Sequence, residues 1–213
     1  MVLSSKIYIR LTFNIYLAVL SFILPLPAHA GSIASIEQIG NSNYSTLTQD
    51  GFENEGKVVQ AGEDNETVLT QENPQDLSGS SAIVEQGVIN GCVGCVATVK
   101  QTGADNFAGV FQDGEVNQAT VDQNAGGDDN FAVVGQFGDN NKATFNQEGD
   151  GNTGLSAQVG NDNGFIVNQL NGDNFISVNQ FGGVGSEESG GPITVTQEGG
   201  GFAVIVQESV LGN

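Results

Sequence analysis

Along most of the chain, apolar and polar residues alternate in short runs that end on a glutamine. These are Gln38, Gln49, Gln60, Gln71, Gln86, Gln101, Gln112, Gln123, Gln136, Gln147, Gln158, Gln169, Gln180, Gln197 and Gln207. Nine of their fourteen intervals are 11 residues, and the others are 15, 15, 13, 17 and 10. Two residues before each glutamine stand Ile36, Leu47, Val58, Leu69, Val84, Val99, Val110, Val121, Val134, Phe145, Ser156, Val167, Val178, Val195 and Ile205, apolar everywhere except Ser156. Four before it the residue is usually small, as at Ala34, Ala82, Ala97, Ala108, Ala119, Ala132, Ala143 and Ala203. Two after it, ten units carry glycine. Five after it, nine carry asparagine: Asn43, Asn54, Asn65, Asn106, Asn117, Asn141, Asn152, Asn163 and Asn174.

Small, branched-apolar and Gln at alternate positions fall on one face of an extended strand. The β-branched enrichment favours strand over helix. The Gly and Asn that follow tolerate positive φ and turn the chain. Each unit therefore predicts one strand of about six residues and a tight arc. Single units cannot bury a face, but stacked in register they can, as in solenoids. A buried amide without a partner costs roughly 1–3 kcal/mol. Identical amides stacked about 4.8 Å apart bond from rung to rung, as in the Asn/Gln ladders of cross-β structures. Such a ladder also holds the register, because a one-residue slip would expose the valine row. The expectation is an all-β, parallel β-solenoid of about fifteen 11-residue strand–arc units, with the Gln and Asn residues above as its structural ladder. The period alone is compatible with two or three strands per turn.

The start of the chain breaks this pattern. Lys6 and Arg10 precede the apolar run Leu17–Leu24, and Pro25 and Pro27 end that run ahead of Ala28-His29-Ala30. This reads as a secretory signal peptide over residues 1–30, with a single repeat domain over 31–213. Without the leader, 25 carboxylates face only Lys57, Lys100 and Lys142, so the net charge is 3 − 25 = −22. That balance argues against nucleic acid. The leader also takes the only His, Arg and Met, and the chain has no Trp. Histidine-activated nucleophiles, histidine metal ligation and arginine anion clamps are thereby excluded from the repeat domain.

Ser32–Asn43 followed by Tyr44–Gln49, and again Lys142–Asn152, repeat Gln-x-Gly-x-x-Asn in phase. This doubled half-repeat resembles the curlins, subunits of bacterial curli fibres, over about residues 32–208. The resemblance implies two strands per turn and a structural, non-enzymatic subunit that assembles with itself and with other curlin-like subunits into extracellular amyloid fibres. It also implies export through an outer-membrane secretion apparatus of a Gram-negative bacterium, and roles in adhesion, aggregation and biofilm matrix. Two features depart from the family. The repeats follow the leader directly at Ser32, and the array is long, with irregular arcs around Asn73–Ser80, Gly87–Cys95, Asn124–Asn130 and Gly183–Gly191.

Other chemistries find little support. Cys92 and Cys95 form a C-x-x-C pair without the βαβ pattern of a redox site, and read as a local disulfide or as spare thiols. Four-ligand zinc would need two further ligands. Arc strings such as Gly149-Asp150-Gly151-Asn152 superficially resemble calcium-binding repeats, but the period of 11 differs from the nine of that class. No metal, cofactor or catalytic residue is expected. A soluble solenoid that binds a surface or Ca2+ is the alternative reading. An ice-binding face, however, needs a threonine plane. The outward positions give Thr46 with Thr48 and Thr194 with Thr196, but Gly109 with Phe111, Val133 with Gly135, and Ile166 with Asn168 in between. Neither the first nor the last unit carries a capping pattern, so both ends are expected to present open strand edges. A head-to-tail contact between such ends builds a filament.

Overall fold

The computed structural model describes residues 6–14, 31–73, 78–124, 127–182 and 193–208. The expected apolar leader run and cleavage site, and the irregular arc at 183–191, lie outside the described residues, as do 74–77 and 125–126 of two other arcs. Sixteen strands follow one another: β1 (Lys6–Asn14), β2 (Ile33–Asp50), β3 (Glu55–Glu63), β4 (Glu66–Glu72), β5 (Ser81–Gln86), β6 (Cys92–Val93), β7 (Val96–Thr102), β8 (Phe107–Glu115), β9 (Gln118–Asn124), β10 (Phe131–Phe137), β11 (Lys142–Glu148), β12 (Thr153–Gly160), β13 (Gly164–Leu170), β14 (Phe175–Gly182), β15 (Ile193–Glu198) and β16 (Phe202–Glu208). Among the described residues there is no helix, hence none long and apolar enough to cross a membrane.

Successive units alternate between two parallel stacks. The odd-numbered units form one stack, from the first half of β2 through β3, β5, β8, β10, β12 and β14 to β16. The even-numbered units form the other, from the second half of β2 through β4, β7, β9, β11 and β13 to β15. The fold is thus a parallel β-solenoid with two strands per turn. Glutamine faces glutamine at every rung of both sheets, from Gln38↔Gln60 and Gln49↔Gln71 to Gln180↔Gln207 and Gln169↔Gln197.

The core is one continuous strip of the small and branched residues that precede each glutamine. Ser156, the break in the apolar row, is buried with its Oγ unpartnered. Phe145 and Phe165 stack edge to face in the even sheet, 5.1 Å apart. The odd-sheet strand β12 makes room for the Phe145 ring by carrying Gly154. A Cβ on Gly154 would lie 2.7 Å from the Phe145 ring.

The arcs stack as closely as the strands. Gly160 has φ 108°, and a Cβ there would overlap the Gly182 carbonyl. Any side chain would therefore separate two turns. Surplus arc residues leave the stack intact: Val88 and Ile89 stand exposed, while β6 returns to pair with Gly62 and Gly114.

The segment read above as a leader does not stand wholly apart from the fold. Its residues Lys6–Asn14 form β1, antiparallel to the second half of β2, with Lys6 opposite Asp50 and Thr12 opposite Tyr44. An open sheet edge is a template for any extended β-forming segment, and Ile7–Phe13 is one. Of the edges expected to be open, the first strand of the even sheet is therefore covered by β1.

Candidate functional site

The chain's most distinctive chemistry is its amide rows, and strand pleat places them. Residues two apart face the same way, so each unit turns its small, branched and Gln positions inward together. Fourteen of the fifteen glutamines are buried, and Gln207, in the last described strand, is partly exposed. Each Nε2 donates to the Oε1 of the glutamine one turn further on, at 2.7–3.3 Å, along both sheets. Nearly every Nε2 also crosses the core to the carbonyl that opens the preceding strand, as Gln49 does to Ile33 and Gln158 to Lys142. One amide group thus joins turn to turn and sheet to sheet.

The asparagines form a second row at the arcs. Asn43 donates from Nδ2 to the Ile39 and Gly62 carbonyls, and accepts through Oδ1 from the Asn65 N–H. Asn117 repeats this with Asp113, Gly138 and Asn141. The row also includes residues that counting forward from each glutamine misses. Asn130 bonds to Asn106, Ser80 to Asn54, and Ser32 to Asn54. Counting six back from the following glutamine would have found all three, because the row sits immediately before each strand.

Cys95 occupies one place in this row, its N–H donating to Asn65 Oδ1. Cys92 occupies a glycine place, between Gly62 and Gly114. Both are fully buried and joined in a disulfide. A covalent bond thus closes the arc that asparagine closes elsewhere by hydrogen bonding.

The outer faces are unlike. On the odd sheet Phe107 stacks on Phe131, 4.9 Å apart, and Phe175 on Phe202, 5.0 Å apart. Phe137, Val159 and Phe181 form a further exposed column. On the even sheet Thr46, Val68, Thr98, Thr120, Thr144, Ile166 and Thr194 fall in one column. Val68 and Ile166 interrupt it, as expected of a chain without a continuous threonine plane, but five of its seven positions are threonine. Read along the chain, the two sheets interleave, and the apolar odd units hide the column.

Asp122 lies on the even face between Lys100 and Asn146. Burial pushes its carboxyl above the ordinary 3.8, against the pull of the Lys100 ammonium. Its Oδ1 has no hydrogen-bond partner. Among the described residues no three acidic, Cys or His side chains gather as metal ligands. Several arc carboxylates instead accept backbone N–H groups one turn away, as Asp128 does from Ala104 and Asp139 from Glu115.

A family profile described as curlin associated repeat matches residues 40–72, 103–138, 127–154 and 138–170. No curated protein and no solved structure shows significant similarity to the chain.

Proposed function

We propose, from the curlin associated repeats matched over residues 40–72 and 103–170, that the chain is a curlin-type structural subunit of extracellular fibres, exported with loss of residues 1–30 and contributing to adhesion and biofilm matrix. One observation carries the reading: at three of the four sheet ends a parallel strand stops with its hydrogen-bonding edge intact, and loss of residues 1–30 would remove β1 from the fourth. Beyond β15, β16 and the first half of β2, no further strand is paired among the described residues. Such edges accept another chain, and a head-to-tail contact of this kind does not close. Over residues 31–213 the net charge of 3 − 25 = −22 repels like arcs, screened beyond about 8 Å at physiological salt. Acid and divalent cations therefore speed assembly. Equal lag times at pH 4 and pH 8 would contradict this.

Fibre diffraction on residues 31–213 after quiescent incubation tests the reading. The expected result is a meridional reflection near 4.7–4.8 Å from thioflavin-positive fibres. A chain that stays folded and monomeric for days overturns it. The threonine column supports a second reading, a soluble solenoid docking through its even face on a regular surface. Under that reading Thr120→Ala with Thr144→Ala weakens surface binding by the monomer many-fold, whereas a fibre subunit assembles unchanged.

A further inference from the structure

The two ends of the amide rows specify how one copy of the chain meets the next, an inference that rests on the fibre reading. The rows have a direction, each Nε2 donating toward the C-terminal end. They must therefore begin on acceptors. Gln38 and Gln49, 7 % and 0 % exposed, hold Oε1 atoms that have no hydrogen-bond partner. At the other end Gln207 and Gln197 accept from Gln180 and Gln169, which leaves their Nε2 groups to continue the rows.

Parity then decides how a second copy fits. Fifteen units put eight strands in the odd sheet and seven in the even one. A copy added by translation alone sets its Gln38 on Gln207, but leaves a strand-wide gap between β15 and its own Gln49. A copy turned by half a turn meets both edges at once. Its Gln38 then accepts from Gln197 and its Gln49 from Gln207, and both backbone ladders continue unbroken. Strand direction permits this, because a half turn about the solenoid axis exchanges two sheets whose strands run oppositely around one coil.

β1 does not fill the gap in its stead. It runs antiparallel, places Ile7 opposite Gln49, and leaves the Gln49 Oε1 unpartnered. It covers the backbone edge of that strand.

We propose that successive subunits are related by a half turn about the fibre axis, the N-terminal strand of each stacking on β15 and its second strand on β16 of the copy before. The subunit repeat is then about 36 Å, seven and a half turns at about 4.8 Å each. The phenylalanine and threonine faces change sides at every junction.

Cysteine pairs on outward positions discriminate the two arrangements. In-register neighbours in a parallel sheet lie about 4.8 Å apart, within disulfide reach of about 4.4–6.8 Å. The half turn brings Glu37 beside Thr196, and translation brings it beside Val206. Oxidised fibres of the 31–213 chain carrying Glu37→Cys with Thr196→Cys are expected to run as a covalent ladder on a non-reducing gel. Those carrying Glu37→Cys with Val206→Cys are expected to run as monomers. Helical reconstruction of wild-type fibres should give a rotation of about 180° and a rise of about 36 Å per subunit. The reverse gel pattern, cross-linking of neither pair within fibres, or a rise of about 38 Å without rotation overturns the half turn and leaves the fibre reading intact. A chain that forms no fibre overturns both.

Discussion

The two sheets of this solenoid have nearly the same interior and opposite exteriors. Inward, each presents the same sequence of small residue, branched residue and glutamine, because each must match the turn above and below. Outward, the odd sheet shows stacked phenylalanines and exposed Val159, Val204 and Val206, whereas the even sheet shows threonines, amides and carboxylates. Every large hydrophobic residue exposed among the described residues lies on the odd sheet or on the arcs leaving it. Stacking therefore constrains only the inner positions, and the outer ones are free to diverge. An apolar face of this extent marks an interaction surface in a soluble protein.

The sharpest way to break the comparison is to damage what the sheets share. Gln147→Ala together with Gln158→Ala interrupts one row in each sheet, stranding neighbouring amides at about 1–3 kcal/mol apiece. Fibre formation followed by thioflavin is expected to slow many-fold. Outward Asn146→Ala with Ala157→Ser, worth within about 0.5 kcal/mol, should change it little; the opposite ranking would reverse the inward assignment. A smaller effect is expected from exchanging the exteriors. Phe137→Thr with Phe181→Thr should cut binding of a hydrophobic dye several-fold, and Thr120→Val with Thr144→Val should raise it. Dye binding unchanged by either pair would show that the odd face is not where apolar surface is available.

The smallest effect belongs to Asp122. The fold disfavours its charged form, so the folded chain holds the proton more tightly than the unfolded chain does. The associated stability is full below the ordinary value of 3.8 and is lost as pH rises through the raised one. Asp122→Asn should therefore raise Tm at pH 7 and leave it unchanged at pH 3. A variant equally shifted at both values would mean that packing, not charge, is responsible.

The coil was legible in the sequence because a strand with one buried face leaves a period-two trace, and stacking repeats that trace at a fixed interval. The number of strands per turn was not legible from that period, since any number of equal units per turn yields the same spacing. For the same reason the contrast between the outer faces stayed hidden until alternate units were separated. Ser80 and Asn130 escaped notice because arc insertions shift them relative to the preceding glutamine, although each keeps its distance to the following strand. The pairing of Gly154 with Phe145 is a contact across the core, and no run along one strand reveals it.

That pairing bears on how the chain finds its shape. A chain of near-copies can slide by one full coil, 22 residues where the period is regular, and still set every glutamine on another. Local preference alone does not rank such mispairings, and a landscape with many near-equal minima folds poorly. The Phe145 ring fits only where Gly154 lies against it, and Cys92 finds its partner only within its own arc. These exceptions give otherwise interchangeable turns an address, so the misfits in the repeat are what make a single folded chain out of it.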